Sequence, residues 1–151
     1  MVALAATFVA CGVKVNPPPP AGPGVVVISA AQLAQEFYDG TAGRTYGLQT
    51  LEVSGVVTRL EKPNAWEKEP GPDDATDSVV FVIPVTHKTT GQKADYVIRC
   101  LLQPQVSAEQ RKALGLAGGK PVVLRGQILA SDLNKPQASL QKCTIVSAGG
   151  Q

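Results

Sequence analysis

Two apolar segments of the chain, each interrupted by a single glycine, alternate apolar and polar residues in the way that is typical of half-buried strands. They span residues 51–57, around Gly55, and residues 122–129, around Gly126. A glycine inside a strand favours a bulge or a sharp bend. We therefore predict two strands of a small, strongly curved sheet, in which Gly55 and Gly126 are neighbouring bend points that contact no ligand.

The remaining pattern predicts a leading helix, a short second helix and three further strands. Ser29 and Gln32 have the spacing of a capping box, which places the first helix at residues 30–39. We expect Tyr46 to pack back against the sheet from a loop at residues 41–49. Ser107 is expected to cap the short helix within residues 104–116. The five strands are expected at residues 50–61, 78–85, 94–102, 122–130 and 138–146.

This order of elements is that of the OB-fold. We predict an all-β domain, a five-stranded OB-fold Greek-key barrel with a leading N-terminal helix and a short helix between strands three and four. In that fold the two glycine-containing segments are strands one and four, which pair with each other. The alternatives are another small five-stranded barrel and an open β-meander.

The composition agrees with one folded domain of low charge. The chain has 151 residues, of which 44% are hydrophobic and 17% charged, and this excludes a chain that is disordered throughout. Fourteen basic and twelve acidic residues give a formal net charge of +2. Because phosphate binding depends on clustered Lys and Arg, so small a charge does not by itself indicate a nucleic-acid-binding protein. Aromatic residues make up 5% of the chain, which is few for a protein that stacks bases.

The N-terminal residues have the composition of a targeting segment followed by a spacer. Residues 1–11 are apolar and end in Ala10-Cys11, which is similar to the lipobox of bacterial lipoproteins, although no Lys or Arg precedes it. Residues 12–27 are rich in Pro and Gly and are expected to form a stiff tether. We interpret residues 28–147 as the folded domain and residues 148–151 as a polar tail. A chain lipidated on Cys11 would face the periplasm from the bacterial cell envelope. The alternative is a cytoplasmic protein in which this cysteine is an ordinary one.

Three segments together resemble a known family. They are residues 28–33 (ISAAQL), 51–57 (LEVSGVV) and 140–146 (LQKCTIV). In their order and spacing they are similar to the tRNA-anti-like OB-fold family of bacterial envelope proteins and lipoproteins, over residues 28–147. The loop at residues 62–77 is longer than the family leads us to expect. The resemblance implies an OB-fold, and it implies nucleic-acid binding only by analogy of fold.

Cys100 and Cys143 are the best candidate pair for chemistry. They fall on strands three and five, which neighbour one another in an OB-fold, and both are in phase with inward-facing residues. One interpretation is a disulfide, which would close a loop of about 43 residues and stabilise the fold by roughly 4 kcal/mol. The other is a pair of buried free thiols. The sequence contains no Cys-x-x-Cys motif, and His87, its single histidine, is interpreted as a solvated turn residue. We predict no catalytic residue, no metal site and no cofactor.

Trp66 marks the expected ligand site. This tryptophan lies in a charged loop between strands one and two, a loop that OB-folds use for oligonucleotides and oligosaccharides. It either packs onto the sheet or stacks on a ligand. Its candidate companions are Tyr96, Arg99, Arg59, Lys88 and Lys93.

These features predict a non-enzymatic OB-fold binding module, anchored to the bacterial membrane by lipid on Cys11, with an unidentified ligand or envelope protein as partner. The alternative is a protein that binds single-stranded nucleic acid. The same residues would serve either ligand, so the two hypotheses differ chiefly in the salt dependence that they require.

Overall fold

The computed structural model describes residues 24–63, 69–132 and 134–149. The sheet dominates the fold, and three short helices accompany it in the described residues. The elements are β1 (Val25–Ser29), α1 (Ala30–Tyr38), α2 (Ala42–Tyr46), β2 (Thr50–Val56), β3 (Arg59–Glu61), β4 (Thr76–Thr86), β5 (Lys93–Val106), α3 (Ala108–Leu114), β6 (Pro121–Asp132) and β7 (Gln137–Ala148). Among these residues, no helix is long and apolar enough to cross a membrane.

All the described strands belong to one mixed sheet of seven strands, in the order β1-β2-β6-β7-β5-β4-β3. β1 is parallel to β2 and β5 is parallel to β7, whereas the other neighbours are antiparallel. The prediction of five strands is therefore wrong. The sheet does not close into a barrel, because the strand order has two ends, β1 and β3.

The two strands beyond the predicted five come from the N-terminal half of the chain and form the two edges of the sheet. The predicted first strand is divided, because the N–H of Val57 donates to the carbonyl of Lys120 and the N–H of Thr58 donates to the carbonyl of Val80. The chain thereby leaves β6 and reaches β4. The other addition is β1, which begins at Val25 and pairs along its whole length with β2. The sheet thus starts three residues before the predicted domain boundary at residue 28.

Local capping signals account for two of the helices. Ser29 accepts from the backbone of Gln32, as predicted for α1, but the Gln32 side chain donates to Glu36 and does not complete the capping box. In α3 the box is complete between Ser107 and Gln110. The prediction of a loop at residues 41–49 is wrong in part, because α2 lies there. Tyr46, at its end, is buried as expected.

The core lies between the inner sheet face and α1, which packs mainly on β4 and β5. Its largest fully buried apolar side chains are Phe81, Leu33, Leu51, Ile98, Leu124 and Leu140. Gly55 lies at the contact between β2 and α1. A Cβ there would lie 2.9 Å from the Cβ of Ala30 and 3.0 Å from the Cε1 of Phe81. Gly55 is therefore required for close packing of the helix start against the sheet.

The two glycines of the sequence pattern are not neighbours. Gly55 is paired with Val122, and Gly126 is paired with Leu51, so four positions of the β2–β6 ladder separate them. β2 continues through Gly55 to Val56, whereas Gly126 lies at a register shift between β6 and β7. The prediction that the two glycines are neighbours is therefore wrong.

Candidate ligand-binding cleft

A cleft of about 610 Å³ opens where three parts of the fold meet: the C-terminal end of α1, the turn between β4 and β5, and the turn between β6 and β7. Strand alternation and helix position together determine its lining. The residues that line it are Phe37, Tyr38, Gly40, His87, Thr90, Gln92, Ala94, Tyr96, Ser131, Asn134, Lys135 and Pro136. The cleft thus combines aromatic rings with hydroxyl and amide groups.

Its aromatic wall is built from α1 and β5. The rings of Phe37 and Tyr96 stack almost in parallel, with centroids 5.9 Å apart. Tyr38 meets Tyr96 edge-on at 6.2 Å and His87 edge-on at 5.5 Å. Tyr96 is buried because it shares the inward-facing phase of β5 with Ile98, whereas Phe37 and Tyr38 are half-buried. These contacts hold the rings in place, so the wall is preorganised.

The turn between β4 and β5 forms the second wall. Nδ1 of His87 accepts hydrogen bonds from the backbone N–H groups of Thr89 and Thr90, each at 3.2 Å. A nitrogen that accepts carries no proton, so a neutral ring holds its hydrogen on Nε2. His87 is thus a turn residue, as expected from the sequence, and it is half-buried. Its ring is fixed by the turn that it stabilises.

Asp39 joins the two walls. Its Oδ1 accepts from the backbone N–H of Lys88 at 2.9 Å. This hydrogen bond, together with one from Gln35 and the nearby charge of Lys88, lowers the pKa of Asp39 below its ordinary value. Gln35 also donates to the carbonyl of Thr86 at 2.6 Å. The end of α1 is therefore tied to the β4–β5 turn, and the width of the cleft depends on these contacts.

The lining of the cleft contains few charged groups. Among the described residues that line it, Lys135 is the one with a permanent positive charge, and none carries a carboxylate. Two lysines that the sequence singled out lie on the same hairpin, Lys88 in the turn and Lys93 at the start of β5, and both are exposed. An anionic or neutral polar ligand fits this surface better than a cation does.

Arg59 and Arg99, two of the predicted ligand residues, instead form an ion cluster on the outer face of the sheet. Arg99 donates from Nε to Oε1 of Glu61 at 2.9 Å and from Nη2 to Oε2 at 3.3 Å, and Arg59 donates from Nε to Oε2 at 3.3 Å. The side chain of Glu61 is only 2% exposed. Both arginines therefore neutralise a buried carboxylate.

The predicted convergence of Tyr96 and Arg99 on one face is wrong. The two residues are three positions apart on β5, an odd separation, so their side chains lie on opposite faces of the sheet. Tyr96 packs inward against Phe37, and Arg99 points outward to Glu61. Trp66, the expected centre of the site, lies outside the described residues.

The sequence did not predict several residues of the cleft and of the ion cluster. Tyr38 and Lys135 gave no signal, because they are brought together from a helix and a turn far apart in the chain. Glu61 could have been found, since residues two apart on a strand share a face, and Arg59 precedes it at that spacing. The cluster is therefore readable from the local pattern, whereas the cleft is not.

Cys100 and Cys143 are neighbours across β5 and β7, as expected. Both are buried free thiols, and Cys143 is paired with Leu102 of β5. A side-chain hydrogen bond with Cys143 and burial raise the pKa of the Cys100 thiol well above its usual value. Within the described residues, no three His, Cys, Asp or Glu side chains are grouped so as to hold a metal ion.

Comparison of the chain with family models finds no match, and comparison with curated proteins finds no significant one.

Proposed function

We propose that this chain is a non-enzymatic binding module whose ligand occupies the cleft between α1, the β4–β5 turn and the β6–β7 turn. One observation carries the proposal: preorganised aromatic rings, polar side chains and Lys135 converge on a single open cavity of about 610 Å³. Ligand pockets combine apolar walls with a few placed polar groups in this way, and this volume lies within their usual range.

We further propose that the sheet is a variant of the OB-fold and that the chain is related to the tRNA-anti-like family. Supporting this, β2 pairs with β6, β6 with β7, β7 with β5 in parallel, and β5 with β4. Residues 57 and 58 then carry the chain from β2 to β3, which pairs with β4. These pairings are those of an OB-fold in which the first strand is divided. The cleft lies beside the loop between its last two strands, one of the loops that OB-folds use for ligands.

Several carboxylates form structural contacts within the protein, and this supports a binding role over a catalytic one. Glu61 is neutralised by two arginines, and Glu52 accepts from Arg125 at 2.9 Å. Asp74 accepts from the backbone of Gly71 at 2.8 Å. General acid–base catalysis needs a titratable group that is free to reach a substrate. These carboxylates instead form contacts that stabilise the fold.

A single-stranded nucleic acid is the second candidate ligand. Lys135 lines the cleft together with its aromatic rings, and bases stack on such rings while lysines contact phosphates. This candidate requires binding that weakens strongly with salt. A neutral saccharide or a peptide in the same cleft requires no such dependence.

We propose that the module acts in the bacterial cell envelope, anchored by lipid on Cys11. The support is the similarity of Ala10-Cys11 to a lipobox and the Pro-rich segment that follows it. Mass spectrometry of the mature protein tests this directly. A cysteine at the new N-terminus that carries acyl groups is expected, and an N-terminal Met1 without lipid contradicts the anchor.

The binding proposal is tested by titrating the full chain with two probe sets at low salt, oligothymidylates and neutral glycan oligomers, while NMR amide shifts are followed. We expect shifts at Tyr38, His87 and Lys135 with one of the two sets. Tyr38→Leu should weaken that binding about tenfold, the loss of one stacking contact. Lys112→Ala is the matched control, since Lys112 is an exposed lysine on α3 away from the cleft. Shifts confined to other surfaces contradict the proposed site.

A further inference from the structure

The structure brings two thiols together inside the sheet, away from the proposed ligand cleft. Cys100 is paired with Leu140 and Cys143 with Leu102, so the cysteines lie on adjacent parallel strands across a register shift. Both side chains are essentially buried, with relative exposures of 0% and 1%. The two side chains are near enough to interact, since Cys143 is one cause of the raised pKa of the Cys100 thiol. Inward-facing cysteines on neighbouring strands can form a disulfide where their Cα atoms lie within about 7 Å of each other.

Gly126 contributes to this arrangement. A Cβ at position 126 would lie 2.6 Å from Sγ of Cys143. The missing side chain therefore provides the space in which the Cys143 sulfur sits. The sulfur is positioned by β6 as well as by its own strand.

One route connects this buried pair with the surface. An apolar groove of about 370 Å³ runs between α3 and the ends of β5 and β7. Leu102, Val106, Leu114 and Ile145 are among its lining residues, and Cys143 lies in its wall. Of the two cysteines, Cys143 is the one that lines the groove.

We propose that Cys100 and Cys143 form a redox-active dithiol, which a small disulfide oxidises to an intramolecular disulfide after entering the groove beside α3. Neither thiol belongs to the proposed ligand cleft. The modification is therefore independent of the proposed binding function.

The chemistry is a double thiol–disulfide exchange. Cys143, as its thiolate, attacks one sulfur of the oxidant, forms a mixed disulfide and releases the first thiol of the oxidant as a leaving group. Cys100, as its thiolate, then attacks Sγ of Cys143, which forms the Sγ–Sγ bond and releases the second thiol. The two protons of the cysteines end on the two released thiols, so two electrons pass from the protein to the oxidant.

The experiment uses the full chain with Cys11→Ser, because the sequence contains three cysteines and this change leaves two. The protein is incubated with glutathione disulfide, quenched in acid, unfolded, alkylated and analysed by mass spectrometry. We expect a product that has lost two hydrogens, takes up no alkylating agent and yields a peptide linking Cys100 to Cys143. Full alkylation of both cysteines after prolonged incubation would overturn the proposal, as would a stable glutathione adduct on Cys143 with no cross-link.

Two variants test whether the oxidant enters through the groove. Ala113→Phe fills the groove from α3, whereas Lys112→Phe adds the same ring one residue away, at a position outside the groove lining. We expect Ala113→Phe to slow oxidation at least several-fold and Lys112→Phe to leave the rate unchanged. Equal rates in the two variants would refute access through the groove, and circular dichroism verifies that both are folded.

Discussion

Arg99 and Glu61 form a two-point ion pair in which Nε lies 2.9 Å from Oε1 and Nη2 lies 3.3 Å from Oε2. The carboxylate is almost fully buried, and Arg59 contacts it from the same strand. Arg59 and Arg99 both pair with Val80 of β4, so the cluster crosses three adjacent strands. It therefore joins the short edge strand β3 to the rest of the sheet.

Removal of Arg99 is expected to destabilise the protein strongly. Arg99→Leu leaves a buried carboxylate with only one partner, and breaking such a pair lowers the free energy of unfolding by about 3 kcal/mol. Urea denaturation followed by circular dichroism measures this. The double variant Arg99→Leu/Glu61→Leu should recover most of the loss, because no charge then remains buried.

The exposed pair Lys62–Asp74 is the control for this prediction. Its side chains are 38% and 39% exposed. Lys62→Leu should cost less than about 1 kcal/mol. An Arg99→Leu variant as stable as Lys62→Leu would show that the cluster contributes little.

Gly55→Ala tests the packing of α1 on the sheet. The added methyl group would lie closer to Ala30 and Phe81 than ordinary contacts permit. Overpacking of this kind costs about 1–3 kcal/mol. Thermal unfolding should show a lower midpoint, whereas binding in the cleft should persist in the folded fraction.

Gly43→Ala is the control for Gly55→Ala. A Cβ at position 43 has no atom within 4 Å, and the residue lies in α2. Alanine is the better helix former by up to about 1 kcal/mol, so this variant should be at least as stable as the parent chain. Equal losses in the two variants would show that packing is not the reason for Gly55.

Local signals in the sequence predicted the parts of the fold that depend on neighbouring residues. Ser107 identifies the start of α3, and alternation identifies β2 and β6, because capping and strand burial both act over a few residues. The proximity of Cys100 and Cys143 followed from strand order. These features need no knowledge of distant contacts.

What the sequence did not predict depends on contacts between distant segments. α2 contains Gly43 and Thr45 and has no side-chain cap, so its propensity is weak, and burial of Ala42 and Tyr46 stabilises it. The cleft is assembled from residues near positions 38, 90 and 135. Arg99 and its partner Glu61 are 38 positions apart in the chain, so their ion pair also depends on the folded sheet.

Tyr46 is expected to ionise far above neutral pH. Burial, with a hydrogen bond donated to the carboxylate of Glu36, raises the pKa of Tyr46 to about 12. The folded state thus favours the protonated phenol. Its contribution to stability is present in full below about pH 10, the value of an unfolded tyrosine, and is lost as the pH rises toward 12.

Ultraviolet titration of the phenolate band measures this ionisation. Tyr46→Phe should remove the component that titrates near pH 12 and should flatten the loss of stability above pH 10. Glu36→Gln should shift that component toward lower pH, because the negative charge beside the phenol is removed. A Tyr46→Phe profile identical to that of the parent chain would contradict the assignment.

Lys142 is expected to be replaceable by glycine with a gain in stability. It is an exposed residue with a φ of 55°, in the left-handed region that disfavours side chains. Arg125 is paired with Thr144 and Gln127 with Gln141, so Lys142 and Cys143 together oppose Gly126. Two residues facing one is a β-bulge, and its geometry requires the positive φ.

Because the backbone conformation is imposed by the bulge, glycine at this position relieves strain. Lys142→Gly should raise the free energy of unfolding by up to about 1 kcal/mol. Lys142→Ala removes most of the side chain but keeps the Cβ that disfavours a positive φ. This variant should therefore show no gain in the free energy of unfolding. Lys142→Val should lower stability, since β-branched residues tolerate positive φ least. If chemical denaturation gives the alanine and glycine variants the same free energy of unfolding, the strain at this bulge is negligible.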